Sequence, residues 1–234
     1  MRTAADMTTE GPTLHLLDEP ACPRASGALW LPGPGALVVS DLHLGKAERN
    51  VRRGGGFWPP YENEETLNRL EAEIAALDPA CVVALGDSFD DDLCAGEMDA
   101  PTRERIDALA RARRWIWITG NHDPAPSGLP GESARAATFG SLVLRHIAEG
   151  EARGEVSGHY HPKVTLRVRG RRIVRKCFLT GGGRMVMPAF GAFTGGLDVF
   201  APAFAPLFDR DAAVVLTGTP TAVVPLARLR RSAA

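Results

Sequence analysis

The sequence predicts an α/β fold in which two packed sheets carry helices on the outside. Three observations lead there. In the first half, apolar strand-like runs alternate with helical patterns, as parallel strands with crossover helices require. In the second half, short strands and turns succeed one another without a strong helix. The chain's 234 residues, 44% of them apolar, suffice for a sizeable core in one large domain or at most two.

Each element follows from its local pattern. Residues 1–11 read as a loose tail, and 12–234 as a single domain. "TLHLL" (13–17), "ALWL" (28–31) and "ALVVS" (36–40) are strand candidates punctuated by Pro and Gly. "NEETLNRLEAEIAAL" (63–77) reads as a helix, because Leu67, Leu70, Ile74 and Leu77 fall on one face. "CVVALGD" (81–87) is a buried strand ending at an acid. "APTRERIDALARARR" (100–114) is a second helix, with Pro101 suited to its first turn. "WIWITGN" (115–121) is again a strand that ends in polar groups. Beyond it, "SLVLRH", "GEVSGHYH", "KVTLRVRG", "RRIVRKCFL", "RMVMPAF", "AAVVLTG" and "TAVVPLA" read as short strands and turns.

Bulk properties narrow the class. The formal net charge is −1, so overall charge does not draw this chain to nucleic acid, although a local basic patch remains open. Cys22, Cys81, Cys94 and Cys177 form no CxxC pair, which suits a reduced intracellular protein with Cys81 as plain core. The N-terminal stretch lacks the apolar segment of a secretory signal, and no run reaches the length of a membrane span. A soluble, cytoplasmic protein is the expectation.

Polar groups gather where strands end. Asp41 and His43 follow the third strand candidate, Asp87 the next, and Asn121, His122 and Asp123 the one after. In open α/β sheets, functional groups collect beyond the carboxyl ends of strands. His146 follows "SLVLR", and His159 and His161 sit in "SGHYHP". In extended backbone, residues i and i+2 share a face, so Asp41 and His43 would point one way, as would His159 and His161. Asp41 with His43 is either a hydrogen-bonded pair or half of a metal site. The ordered set favours metal, with N and O donors that suit Mn²⁺, Fe or Zn²⁺, Mn²⁺ first.

Taken in order, D-x-H (Asp41, His43), G-D-x-x-D (Gly86, Asp87, Asp90), G-N-H-D (Gly120 to Asp123), His146 and G-H-x-H (Gly158, His159, His161) resemble the calcineurin-like metallophosphoesterase superfamily. The motifs span 41–161. "DLHLGKAERNVRRGG", "LGDSFDD", "GNHDP", "GHYHP", "KCF" and "MPAFGAFTGGLDVF" are similar to the ligase-associated DNA damage response endonucleases, the PdeM-type phosphoesterases. One departure is visible: Asp90 and Asp91 stand near a position where that family usually carries a His.

The resemblance implies a four-layer α/β/β/α sandwich of two mixed sheets with a dinuclear metal centre. It implies Asp41, His43 and His161 at one divalent ion, Asn121, His146 and His159 at the other, and Asp87 between them. His122 would lie near the scissile phosphate as a catalytic residue, oriented by Asp90; Asp123 would brace its own loop. The implied reaction is hydrolysis of nucleic-acid phosphodiesters by metal-activated hydroxide, in DNA repair alongside a ligase, an exonuclease and a helicase. A phosphatase or cyclic-nucleotide phosphodiesterase with the same metals, or a non-catalytic scaffold, stands as the alternative. The oligomeric state is left open.

Three further stretches carry weaker signals. "KVTLRVRGRRIVRK" (163–176) holds seven basic residues in fourteen, and either guides a nucleic-acid backbone or forms a solvated hairpin with charged edge protection. Lys46, Arg49, Arg52 and Arg53 either hold a substrate phosphate or line a helix surface. Trp58 and Tyr61 either stack on a base or pack locally. "PAFGAFTGG" (188–196) reads as a structural return after a strand.

Overall fold

Side chains alternate sides along every central strand, and that alternation builds the layers. A computed structural model describes residues 11–56, 61–124, 128–150 and 153–231. Residues 1–10 of the expected tail lie outside the described residues.

The first sheet holds β1 (Leu14–Leu16), β2 (Glu19–Pro23), β3 (Leu29–Leu31), β4 (Ala36–Val39), β5 (Cys81–Leu85), β6 (Arg114–Ile118) and β7 (Glu132–Ala134), side by side in chain order. Pairing is antiparallel from β1 to β4 and parallel from β4 to β7. The β4–β5 crossover contains α1 (Lys46–Arg52) and α2 (Tyr61–Leu77). The β5–β6 crossover contains α3 (Cys94–Glu97) and α4 (Ala100–Arg111). Asp99 caps α4 by accepting the Thr102 N–H at 2.8 Å, one reason the helix starts where it does. The helix stops at Arg111, short of the expected 114, because Arg114 already belongs to β6.

The second sheet contains β8 (Ala136–Phe139), β9 (Leu142–Arg145), β10 (Glu155–Ser157), β11 (Lys163–Val168), β12 (Arg171–Gly181), β13 (Arg184–Val186), β14 (Ala213–Leu216) and β15 (Ala222–Pro225). Its spatial order is β15-β14-β12-β13-β10-β9-β8, with β11 attached to β12. Strands β9, β10 and β13 run parallel, and the other pairings are antiparallel.

Three buried clusters fill the spaces between layers. Leu37, Val39, Val82, Ala84, Trp115 and Trp117 meet Leu67, Leu70 and Ile74 of α2 and Ile106 of α4. Their strand neighbours Val38, Val83, Leu85, Ile116 and Ile118 face the other way, onto Leu144, Val156, Phe178, Met185 and Val215 of the second sheet. Cys81 belongs to this inter-sheet core. On the far side, Cys177, Leu179, Val186 and Val214 pack against Phe204 in a 3-10 turn (Pro202–Phe204) and Leu226 and Leu229 of α5 (Leu226–Arg231). The result is a four-layer α/β/β/α arrangement of two mixed sheets.

Strands β2, β7 and β8 escape the sequence patterns. Two prolines in "EPACP" disguise β2, and "ESA" and "AATF" are too small and exposed to show an apolar face. No described helix is long and apolar enough to cross a membrane. All four cysteines are free.

Candidate metal centre

Five strand ends deliver the candidate residues to one place. The loops after β4, β5 and β6 carry Asp41 with His43, Asp87, and Asn121 with His122. Neighbouring β9 and β10 release His146 and then His159 with His161. The expected extended backbone does not persist there. Asp41, His43, Asp87, His159 and His161 all adopt positive φ, between 46° and 67°, a region that non-glycine residues rarely occupy. Such strain persists only where surrounding contacts over-determine it. Here they do: the Asp41 N–H donates to Gly86 O, that of His43 to Asp87 O, and that of Gly158 to His146 O.

This turning separates the D-x-H and H-x-H pairs from simple side-by-side display. His43 and His161 meet edge to face with ring centres 5.3 Å apart, while His159 turns away to meet His146 at 5.1 Å. Two groups form: Asp41 with His43 and His161, and Asp87 with His146 and His159. Within each group the ligand atoms lie within 4.8 Å of one another. Asp87 stands between the groups, with one carboxylate oxygen 3.4 Å from His146 Nε2 and the other 3.9 Å from His43 Nε2. Asn121 Oδ1 reaches His146 Nε2 at 3.0 Å.

Hydrogen bonds behind the rings fix which nitrogen faces inward. His146 Nδ1 lies 3.0 Å from the Leu85 carbonyl, and His43 Nδ1 lies 3.0 Å from Asp90 Oδ1. A carbonyl or carboxylate only accepts, so each Nδ1 carries the proton and each Nε2 presents a lone pair. Metal-ligating histidines are held in this way. His43 Nε2 is buried with no hydrogen-bond partner among the described residues, and His161 Nε2 lies 3.0 Å from Asp41 Oδ1. At His146, the Nε2 lone pair faces oxygens of Asn121 and Asp87. Imidazole lone pairs and carboxylate oxygens converging in this way fit a cation, and the residues present therefore suit two divalent ions.

Burial lowers the His146 pKa, but Asp87, Asp41 and the Leu85 carbonyl outweigh it and raise it, so a ring proton supplies the positive charge that a cation would replace. Burial works to raise the Asp87 carboxyl, but His146, the His122 N–H and His43 outweigh it and bring it to about 2. Asp41, fully buried, is likewise pushed upward by burial and pulled lower by His161, His146 and Ser40. Both carboxylates are thus ionised when the site meets a cation. Glycine is required beside them: a Cβ on Gly86, at φ +78°, would lie 2.4 Å from the His146 ring.

Asp90 does not serve His122 through its carboxylate, as the sequence resemblance implied. That carboxylate binds His43 and accepts from Arg49 NH1 at 2.8 Å, which holds its pKa well below the usual range against the opposing effect of burial. His122 instead directs Nδ1 to the Asp90 backbone carbonyl at 2.9 Å. Its Nε2 stands 4.0 Å from Asp87 Oδ2, and a third of its side chain is exposed. Asp123 accepts the Phe89 N–H and thereby ties the β5 and β6 loops together. Burial and the nearby Asp87 charge raise its carboxyl to about 7.

The cations of α1 are mostly engaged. Arg49 binds Asp90, and Arg52 binds Asp91 and Glu97. Tyr61 is exposed at the start of α2, and Trp58 lies outside the described residues. Sequence patterns missed Ser40, which donates to Asp41, and the structural part of Lys176 in "KCF". The loop after β13 sends Phe190 N–H to Ser40 O and Gly191 N–H to Asp41 O, bracing the first metal loop from behind. Lys176, Lys163, Arg69 and Lys46 in turn donate to carbonyls of residues 189–194.

The calcineurin-like phosphoesterase family model matches residues 36–177. No curated protein matches the chain. Among solved structures it is similar to the nuclease MPE of Pseudomonas putida, at 25% identity and a TM-score of 0.69, over 90% of this chain and 99% of that one. It is also similar to Yfce, a phosphoesterase from E. coli, at 17% identity and a TM-score of 0.41, over 82% and 98% of the two chains. The family model covers most of the motif-bearing strands, and the chain belongs to the calcineurin-like phosphoesterase family.

Proposed function

We propose that this chain is a two-metal phosphodiesterase that cleaves nucleic acid, DNA above all, in a repair setting. The observation that carries the reading is the convergence of two Asp/His groups on adjacent points, with the His43 and His161 Nε2 atoms buried there. Asp41, His43 and His161 would hold one ion, and Asn121, His146 and His159 the other, with Asp87 shared. The N and O donors favour Mn²⁺ over a structural zinc. When bound, the ion pair supplies Lewis-acid charge stabilisation and an acidified water.

The chain's own groups do the rest. Asp90 holds the His43 ring with Nε2 inward, and the Leu85 carbonyl does the same for His146. His122 directs its Nδ1–H to the Asp90 carbonyl, so that its imidazolium form would present Nε2–H to the site, give that proton to the leaving oxygen and remain as the neutral Nδ1–H ring. Similarity to a bacterial nuclease supports a nucleic-acid substrate over a phosphomonoester or cyclic nucleotide. A setting beside a ligase, an exonuclease and a helicase rests on the sequence resemblance. A panel of single-stranded, duplex and nicked DNA, an aryl phosphodiester and an aryl phosphomonoester, with Mn²⁺, tests the proposal. Cleavage of the diesters supports it. Turnover of the monoester alone assigns a phosphatase, and no turnover with metal bound assigns a scaffold.

A further inference from the structure

The β11–β12 hairpin projects from the second sheet. Among the described residues, β11 pairs with β12 alone of the strands, and residues 167–174 are all exposed. Register sorts its side chains onto two faces. Val164 and Leu166 turn toward the outer core around Phe204 and Leu226. Lys163 and Lys176, directly opposite each other, turn toward the 189–194 loop that braces Asp41. Alternation then places Arg167 and Arg172, also directly opposite each other, on that same face.

Like charges set directly across a strand pair repel. No carboxylate pairs with Arg167 or Arg172 among the described residues, and the stretch 163–176 contains no acid of its own. A chain of net charge −1 thus concentrates unpaired cations on an arm that begins two residues after His161. We propose that Arg167 and Arg172 form a clamp for backbone phosphates of duplex nucleic acid bound across that centre. This rests on the nucleic-acid reading above and adds where the flanking substrate lies. Four residues of strand carry Arg167 about 13 Å beyond Lys163. At 3.4 Å of rise per nucleotide, the clamped phosphates stand about four nucleotides from those nearest Lys163.

The test compares metal-loaded wild type, R167Q/R172Q and R167K/R172K. Each is titrated with a labelled 20-base-pair DNA carrying phosphorothioate linkages, at salt from 50 to 200 mM. Turnover of bis(p-nitrophenyl) phosphate, too small to reach the arm, is measured in parallel. R167Q/R172Q should keep its aryl diester turnover. Each lost phosphate contact flattens the salt slope by about 0.9, so wild type should lose about 12-fold more affinity than this variant across that range. R167K/R172K should retain the wild-type slope, since a lysine still pairs with phosphate. Equal slopes for wild type and R167Q/R172Q overturn the clamp. So does self-association of R167Q/R172Q with unchanged DNA binding, which would assign the arginines to guarding a strand edge. Failure of wild type to bind the duplex also overturns it, while aryl diester turnover judges the metal centre separately.

Discussion

Asp90 Oδ1 lies 3.0 Å from His43 Nδ1, and this buried contact ties the loop after β5 to the ring that faces Asp41 and His161. The carboxylate also accepts from Arg49, so one acid aligns a candidate ligand and anchors α1 beside the site. A residue in that place acts on metal affinity through the ring it holds. Removing such a carboxylate behind a ligating histidine weakens binding by about 10–100-fold. D90A should show that loss in a Mn²⁺ titration, and excess Mn²⁺ should restore turnover. Lost turnover with unchanged Mn²⁺ affinity would place Asp90 in the chemistry instead.

His122 belongs to neither ligand group but lies against both, its ring 5.3 Å from that of His43 and its N–H donating to Asp87, and it is tethered to the Asp90 carbonyl and partly open to solvent. H122A should retain its metals and lose turnover on the order of 10²–10⁴-fold, the usual worth of a general acid. D87A, which removes the carboxylate between the groups, should lose metal outright. Metal analysis of both variants checks this; equal metal loss in the two would remove His122 from the acid's role.

Gly86 leaves no room for a side chain. In G86A the new methyl would press on the His146 ring at a φ that disfavours L residues, costing about 1–3 kcal/mol. Urea unfolding should show that loss, with reduced metal content. Gly96 in α3 provides the control: nothing lies within 4 Å of its missing Cβ, and G96A should not lower stability.

The fold was legible wherever alternation marked a buried strand. Val82, Val83 and Ala84 point by turns to helix and sheet, and Trp115 to Ile118 repeat the pattern. The candidate metal residues were legible as a set because D-x-H, G-D-x-x-D, G-N-H-D and G-H-x-H all fall at strand ends. The path of the backbone between them was not. Positive φ at His159 and His161 sends neighbouring histidines to different groups, and no residue type signals that. Nor could the sequence show that His146 and His122 lean on main-chain carbonyls. Asp90 was visible, but its choice of His43 over His122 depends on how two loops meet.

Lys176 gives the fold a pH dependence. Its ammonium donates to Ala189 O, Gly191 O and Thr194 Oγ1, which favours the charged form. Burial, with Arg69, Lys163 and Lys46 nearby, opposes it, and the pKa falls from 10.5 to about 7. Between those values the unfolded chain binds more protons than the folded one, so stability rises with pH. Relative to K176Q, wild type should gain stability from pH 7 to 10.5, by at most about 1.4 kcal/mol per pH unit. Chemical denaturation across that range checks the sign; a flat difference would mean the ammonium stays charged throughout.

Anomalous diffraction from crystals soaked in Mn²⁺ tests the two-metal centre most directly. Two peaks should appear, one among Asp41, His43 and His161 and one among Asn121, His146 and His159, with Asp87 touching both and a separation of about 3.5–4 Å. A map with no peak there, or with manganese bound only elsewhere, would contradict the account.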